Sequence, residues 1–153
     1  MPLAIYVLGL MIFSMTTSEF MVAGIMPSLS EEFGVSVAAI GYLISAYAAG
    51  MIIGGPLLTV GLLKVPRKKA FLTLSTVFLI GQTLGALAPN YELMMAARII
   101  TGIASSACFG VSIAIALTLV RPEASGRAAS IVLGGLMVAT AVGLPAAMLF
   151  DQY

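Results

Sequence analysis

Two ionisable side chains, Glu19 and Arg98, lie well inside long apolar runs of the sequence. A charge at the centre of a membrane helix costs about 2.5–3.5 kcal/mol on insertion scales, so such side chains are expected to face other helices or a water-filled cavity. Burial favours the protonated form of a carboxyl group, whereas a nearby arginine favours the charged form. The chemistry that this pair of residue types predicts is therefore proton exchange within a bilayer.

Three interpretations of Glu19 remain open. It can be a structural ion-pair partner of Arg98, a carboxyl that loads and releases a proton in a cavity, or a permanently neutral carboxyl that faces other helices. Glu19 precedes Pro27 by eight residues and Arg98 follows Tyr91 by seven. At 1.5 Å per residue, the two side chains are predicted to lie about 12 Å and about 10 Å from the outer ends of their helices. Thr16, one helical turn before Glu19, is predicted to share its face.

Long apolar runs are the elements that must position these side chains. The chain has 153 residues, of which 61% are hydrophobic and 8% are charged, with a mean hydropathy of +1.14. Each run is long enough for a helix that crosses the hydrocarbon core, and none alternates as a barrel strand would. We predict an all-α polytopic membrane protein with five transmembrane helices, over residues 3–26, 41–63, 70–88, 93–120 and 128–150.

The same composition disfavours several classes of function. The chain has no histidine and a single cysteine, Cys108, so the usual general base, a metal cluster and an internal disulfide are missing. A net charge of +1 with one short basic loop gives no indication of nucleic-acid binding. We therefore predict neither an enzyme nor a metal or nucleic-acid-binding protein.

Basic residues occur in alternate connections between the predicted helices. Lys64, Arg67, Lys68 and Lys69 lie between the second and third runs, and the connection after the fourth run contains Arg121 and Arg127. The other two connections carry glutamates and no lysine or arginine. The positive-inside rule then predicts a cytoplasmic N-terminus, two cytoplasmic basic loops and a C-terminus outside.

Small residues recur every fourth position in four of the runs. In lipid, close backbone approach along such stripes is a main source of helix association, so these positions predict tight packing. The stripes are Ala46, Gly50 and Gly54; Gly81 and Gly85; Gly102, Ser106 and Gly110; and Gly135, Ala139, Gly143 and Ala147.

Several segments resemble one transporter family in the order in which they occur. The segments are "TSEFMVAGIMPSL", "SAYAAGMIIGGPLL", "PRKKA", "LMMAARIITGIASS" and "GGLMVATAVGLPAAM". Together they resemble the major facilitator superfamily, specifically its drug:proton antiporters close to chloramphenicol-resistance and arabinose-efflux permeases. The resemblance implies most of the N-terminal six-helix half of a transporter that has two such halves.

The resemblance also implies roles for particular residues. Arg98 and Gly102 match the fourth-helix motif, whose arginine lines the central cavity and is implicated in proton coupling, and Thr101 stands where a glutamine is usual. The fifth-helix motif of efflux members is matched at Gly134, Gly143 and Pro145, but its later glycine pair is absent. The loop motif is matched only at Lys64, Arg67 and Lys68, because Leu63 replaces its aspartate. These bases then serve as topology anchors.

The resemblance favours proton-coupled efflux of small amphipathic compounds such as chloramphenicol, powered by the proton gradient without a cofactor. Glu19 and Arg98 are the proton-coupling candidates, and Thr16, Tyr42 and Tyr47 are candidates for the substrate cavity. The expected partners are the lipid bilayer, a small-molecule substrate, and the remainder of the transporter or another copy of the chain. The expected location is the bacterial plasma membrane.

Two alternatives remain open. One is export of sugars, nucleosides or other metabolites by the same fold. The other is a small non-transporting membrane protein that acts by interaction; it predicts that Glu19→Gln has no effect, while leucine at Gly50, Gly102 or Gly143 disrupts association.

Overall fold

The computed structural model describes residues 1–153 and consists of helices joined by short connections. The helices are α1 (Leu3–Gly24), α2 (Met26–Phe33), α3 (Val37–Ala49), α4 (Gly55–Gly61), α5 (Arg67–Ala86), α6 (Tyr91–Thr118) and α7 (Ser125–Asp151). A π-helical turn, Gly50–Gly54, joins α3 to α4, and a 3₁₀ turn, Pro122–Ala124, precedes α7. Five helical segments are long and apolar enough to cross a membrane, which confirms the predicted fold class.

The second of these segments, Val37–Gly61, combines α3, the π-helical turn and α4, and is called the second span below. It starts four residues before the apolar run at Gly41. The reason is local: the Ser36 side chain accepts a hydrogen bond from the Ala39 N–H at 3.1 Å and caps the helix. Hydropathy does not register this polar cap, which lies outside the apolar run.

The connection "PSLSEEFGVS", expected as a loop, instead contains the short helix α2. Pro27 is compatible with its first turn, because the N–H groups there have no partner within a helix. Gly34 follows α2 with φ of 63°, a left-handed conformation that glycine adopts without a steric penalty. The helix α1 ends at Gly24, so Glu19 lies five residues from that end instead of eight from Pro27.

The chain divides into two compact units, Met1–Met26 with Ser112–Tyr153, and Pro27–Val111. In the first unit α1 packs along α7, with Gly9 close to Ile131 and Gly135, and Gly24 close to Ala147. Contacts that advance in the same order along both helices make α1 and α7 parallel.

In the second unit, the second span runs parallel to α6 and α5 runs antiparallel to it. The contacts advance from Ala39–Tyr91 to Thr59–Gly110 along the second span. Along α5 they run in the opposite sense, from Ser75–Cys108 to Gly85–Met94. These directions are those of a chain that crosses a bilayer back and forth.

Several glycines of the predicted stripes lie at close helix contacts, and others do not. A Cβ at Gly50 would lie 2.7 Å from the carbonyl oxygen of Ile99, and one at Gly54 would overlap the Ile103 side chain. At Gly143 it would lie 3.5 Å from the Thr17 Cα, an ordinary van der Waals distance. Gly134 is different, because a Cβ there would meet no atom within 4 Å. The close approach in α7 is made by its neighbour, Gly135.

Gly134 and Gly135 therefore form a matched pair for a test of α1–α7 packing. A Cβ at Gly135 would collide with the Gly9 carbonyl oxygen, a backbone atom that cannot rotate away. We expect Gly135→Ala to destabilise the protein by about 1–3 kcal/mol, the usual cost of overpacking. Gly134→Ala should leave the thermal midpoint unchanged or raise it, since alanine is the better helix former. Equal midpoints for the two variants in detergent would contradict this packing.

Candidate functional site

Glu19 lies on a buried face of α1. Ile5, Leu8, Ile12, Met15 and Val22 are at most 7% exposed, and they follow a spacing of three and four residues. Glu19 occupies the missing place in that series, between Met15 and Val22, and is itself partly buried. The carboxyl group therefore lies on a face of α1 whose other side chains are buried.

Thr16, the predicted companion of Glu19, is also buried, with 6% of its side chain exposed. It lies one turn before Glu19 on the same side of α1. Two other hydroxyl residues nearby bond to the helix itself: Thr17 donates to the Phe13 carbonyl and Ser18 donates to the Ser14 carbonyl. Three hydroxyl residues thus directly precede Glu19 on a helix whose first half is apolar.

Arg98 lies in the second unit and is only 3% exposed. Its guanidinium carbon lies 4.4 Å from the centre of the Tyr47 ring, within the range of a cation–π interaction. Arg98 follows the start of α6 at Tyr91 by seven residues, which is about 10 Å along the helix. A permanently charged side chain is therefore buried deep in a helix that meets the criteria for a membrane span.

Backbone contacts fix the register between α3 and α6 around Arg98. Gly102, one turn after Arg98, leaves space that the Tyr47 carbonyl fills. Towards the start of α6, the Tyr91 hydroxyl donates a hydrogen bond to the Ala39 carbonyl oxygen. These contacts determine which α3 side chain lies over the guanidinium group.

Thr101 is satisfied within α6. Its hydroxyl lies 3.0 Å from the carbonyl oxygens of Ala97 and Arg98, to which it donates, and the residue is 1% exposed. It therefore bonds to its own helix at the position where a glutamine was expected by resemblance.

The three cavity candidates do not share one environment. Tyr42 is 65% exposed, whereas Tyr47 is 1% exposed and covers Arg98. Thr16 lies in the first unit with Glu19, and both tyrosines lie in the second.

The π-helical turn was not expected from the sequence. It spans Gly50–Gly54 and starts three residues after Tyr47. Its two end glycines face Ile99 and Ile103 of α6, and Gly55 faces Ser106. Turns of this kind frequently mark functional positions in a helix.

The predicted loop bases occupy a helix start. Lys64 precedes α5, and Arg67 and Lys68 lie in its first turn, where the helix dipole is unfavourable to cations. Their placement is therefore not explained by helix stability. Their placement is consistent with the interpretation of these bases as topology anchors.

Comparison with known proteins identifies the architecture. The sequence-family model of the Major Facilitator Superfamily matches residues 8–153. The chain belongs to the major facilitator superfamily. No group of three or more histidine, cysteine, aspartate or glutamate side chains is arranged to hold a metal ion.

Individual relatives of this superfamily member come from bacteria. It is 35% identical to a chloramphenicol resistance protein of Streptomyces lividans, over 100% of the chain and 39% of that protein. It is 36% identical to the uncharacterized transporter YfhI of Bacillus subtilis, over 92% of the chain and 36% of that protein. It is also 36% identical to the inner membrane transport protein YdhP of Escherichia coli, over 88% of the chain and 35% of that protein. The chain thus spans less than two-fifths of the length of each.

The close contacts at Gly9, Gly24 and Gly55 were missed by the sequence analysis. Gly9 and Gly24 are fifteen residues apart and form no four-residue stripe, although both meet α7 closely. Gly55 adjoins the recognised Gly54 but faces Ser106 across a separate contact. Only the paired helix could have shown which glycine of each run is at the interface.

Proposed function

We propose that these five helices belong to a proton-coupled exporter of small amphipathic compounds, with chloramphenicol as the first substrate to test. The observation that carries the proposal is the burial of Arg98, 3% exposed, deep in α6. A charge retained at such depth is costly and is a functional indicator by default. The match to the superfamily model supports transport as the context of that charge.

In this proposal Glu19 is the group that exchanges a proton with water. Glu19 lies on the buried face of α1, so the hydration of its carboxyl group can change when the transporter changes conformation. Arg98, a buried and permanently charged side chain of the second unit, is the other proton-coupling candidate. The proton gradient is the energy source, and the chemistry of these residues requires no cofactor.

The substrate proposal rests on relatives. The Streptomyces lividans protein is named for chloramphenicol resistance, and that name motivates the choice of drug. Sugars, nucleosides and other metabolites are the competing substrates, since a transporter of this superfamily places its site between two halves. The chain would work with further helices, supplied by the remainder of the transporter or by another copy.

The proposed orientation follows from the basic residues. The connections that contain Lys64 and Arg121 are cytoplasmic in this proposal, as is the N-terminus, and Tyr153 lies outside. Labelling of a cysteine placed at Gly126 by a membrane-impermeant maleimide in intact cells would contradict that orientation.

Energy-dependent efflux is the test of the proposed function. Cells that make the transporter carrying these helices should expel preloaded chloramphenicol, and an uncoupler that collapses the proton gradient should stop the efflux. The same assay on the 153-residue chain alone, with membrane insertion verified, shows whether five helices suffice. Absence of uncoupler-sensitive efflux from the inserted transporter would refute export of this drug.

A further inference from the structure

We infer that Tyr47 positions Arg98 for proton coupling by holding the face of its guanidinium group, and that Tyr47 does not serve as a substrate contact. This inference rests on the proposed function. It starts from the 4.4 Å distance between the guanidinium carbon and the centre of the Tyr47 ring. At that distance the ring's negative face attracts the cation.

Burial strengthens this contact. Tyr47 is 1% exposed and Arg98 is 3% exposed, so little water screens the interaction. Cation–π contacts are strongest when both partners are desolvated. The same burial argues against a role in the substrate cavity, because a side chain so little exposed offers no surface for a substrate.

The backbone, and not only the side chain, places the ring. The Tyr47 carbonyl fills the space that Gly102 leaves, one turn beyond Arg98 on α6. Gly50, the first residue of the π-helical turn and three residues beyond Tyr47, brings the chain close to the Ile99 carbonyl oxygen. The two contacts lie next to Tyr47 and fix the register of the second span against α6.

The consequence is a guanidinium group with one face covered. A planar guanidinium group carries its N–H donors at its edge. A ring stacked on its face therefore fixes the plane in which those donors point. Loss of the ring should let the side chain adopt other rotamers while it keeps its charge. Arg98 would then lose its orientation for coupling without losing its charge.

The first test measures access to Arg98 without any need for transport. Phenylglyoxal reacts with guanidinium groups that solvent can reach, and mass spectrometry locates the adduct. We compare wild type, Tyr47→Phe and Tyr47→Leu of the transporter carrying these helices, in native membranes. Tyr47→Phe keeps the ring and should label at Arg98 as slowly as the wild type. Tyr47→Leu should label about tenfold faster, because the ring is gone.

Two controls separate the ring from general loosening. Leu43 is 0% exposed and lies one turn before Tyr47 on α3, so Leu43→Ala opens a cavity in the same helix while it keeps the ring. It should leave Arg98 labelling unchanged. The exposed Arg67, Arg121 and Arg127 should label equally in all variants. Equal labelling of Arg98 in the Leu and Phe variants, or an equal rise in Leu43→Ala, would overturn the inference.

The second test is transport kinetics, normalised to the amount of inserted protein. A positioning role predicts that Tyr47→Leu lowers the maximal rate about tenfold with KM unchanged, and that Tyr47→Phe restores the rate. A higher KM with an unchanged maximal rate would overturn the inference in favour of a substrate contact. If the wild type shows no proton-coupled transport, the proposed function fails and the coupling role of Tyr47 fails with it. The labelling result would still decide whether the ring holds the guanidinium group.

Discussion

Replacement of Glu19 by glutamine is expected to reduce uncoupler-sensitive efflux to background. Glutamine has nearly the same shape as glutamate but cannot gain or lose a proton, so it should break the coupling to the proton gradient while leaving the helix packed. Downhill exchange of substrate should survive in the variant, because no net proton movement is needed for it. Drug accumulation in energised and de-energised cells measures both modes.

Two further variants control this experiment. Glu19→Asp keeps a carboxyl group one methylene shorter and should retain part of the coupled rate. Glu92→Gln removes the exposed carboxylate in the first turn of α6 and should have no effect.

The Glu19→Gln variant also separates the three interpretations of Glu19. A structural ion pair predicts a lower thermal midpoint for Glu19→Gln, because removal of one partner leaves a buried charge uncompensated. A permanently neutral carboxyl predicts no change in either stability or transport. Normal coupled transport by a well-expressed Glu19→Gln protein would remove the proton-carrier role.

Gly102→Ala is expected to cause a large loss of stability. The added methyl group would collide with the Tyr47 carbonyl oxygen and would lie 3.1 Å from its carbonyl carbon. Backbone atoms of a packed helix cannot move aside as a flexible side chain can, so α3 and α6 must separate. We expect a loss of about 1–3 kcal/mol, together with loss of efflux, because the same contact places Tyr47 over Arg98.

Gly110→Ala is the matched control on the same helix. A Cβ there would lie 4.0 Å from the Thr59 hydroxyl oxygen, so alanine fits without displacement. Thermal midpoints of detergent-solubilised protein measure both variants. The packing account would be wrong if Gly102→Ala unfolded at the same temperature as Gly110→Ala.

The spans could be predicted from sequence because lipid imposes one simple requirement. A helix that crosses the hydrocarbon core needs about twenty apolar residues, and the runs in this chain meet that length. Their ends were harder to place, since caps and turn conformations determine them. Ser36 extends α3 outward and Gly34 ends α2, and neither changes mean hydropathy enough to be noticed.

The candidate site was predictable only in its residue types. Glu19 and Arg98 could be identified because ionisable groups are rare and costly in apolar runs. The ring over Arg98 could not, because Tyr47 is fifty-one residues away and its place depends on the register of two helices. That register depends on Gly102, whose stripe indicated packing but not which partner residue it would meet.

The spacing of small residues and the resemblance indicated different glycines of α7, and the small-residue stripe began at Gly135. The resemblance pointed to Gly134, whereas the Cβ-free surface that meets α1 belongs to Gly135. Adjacent residues of a helix point about 100° apart, so a shift of one position moves a residue from an interface to open space.

Proton release on substrate binding tests the central claim most directly. Chloramphenicol is added to purified transporter carrying these helices, in weakly buffered detergent solution, and the pH is followed with an indicator dye. The account predicts proton release by the wild type at a pH where Glu19 is protonated, and none by Glu19→Gln. Equal release by both proteins, or drug binding to the wild type with no release at any pH, would contradict it.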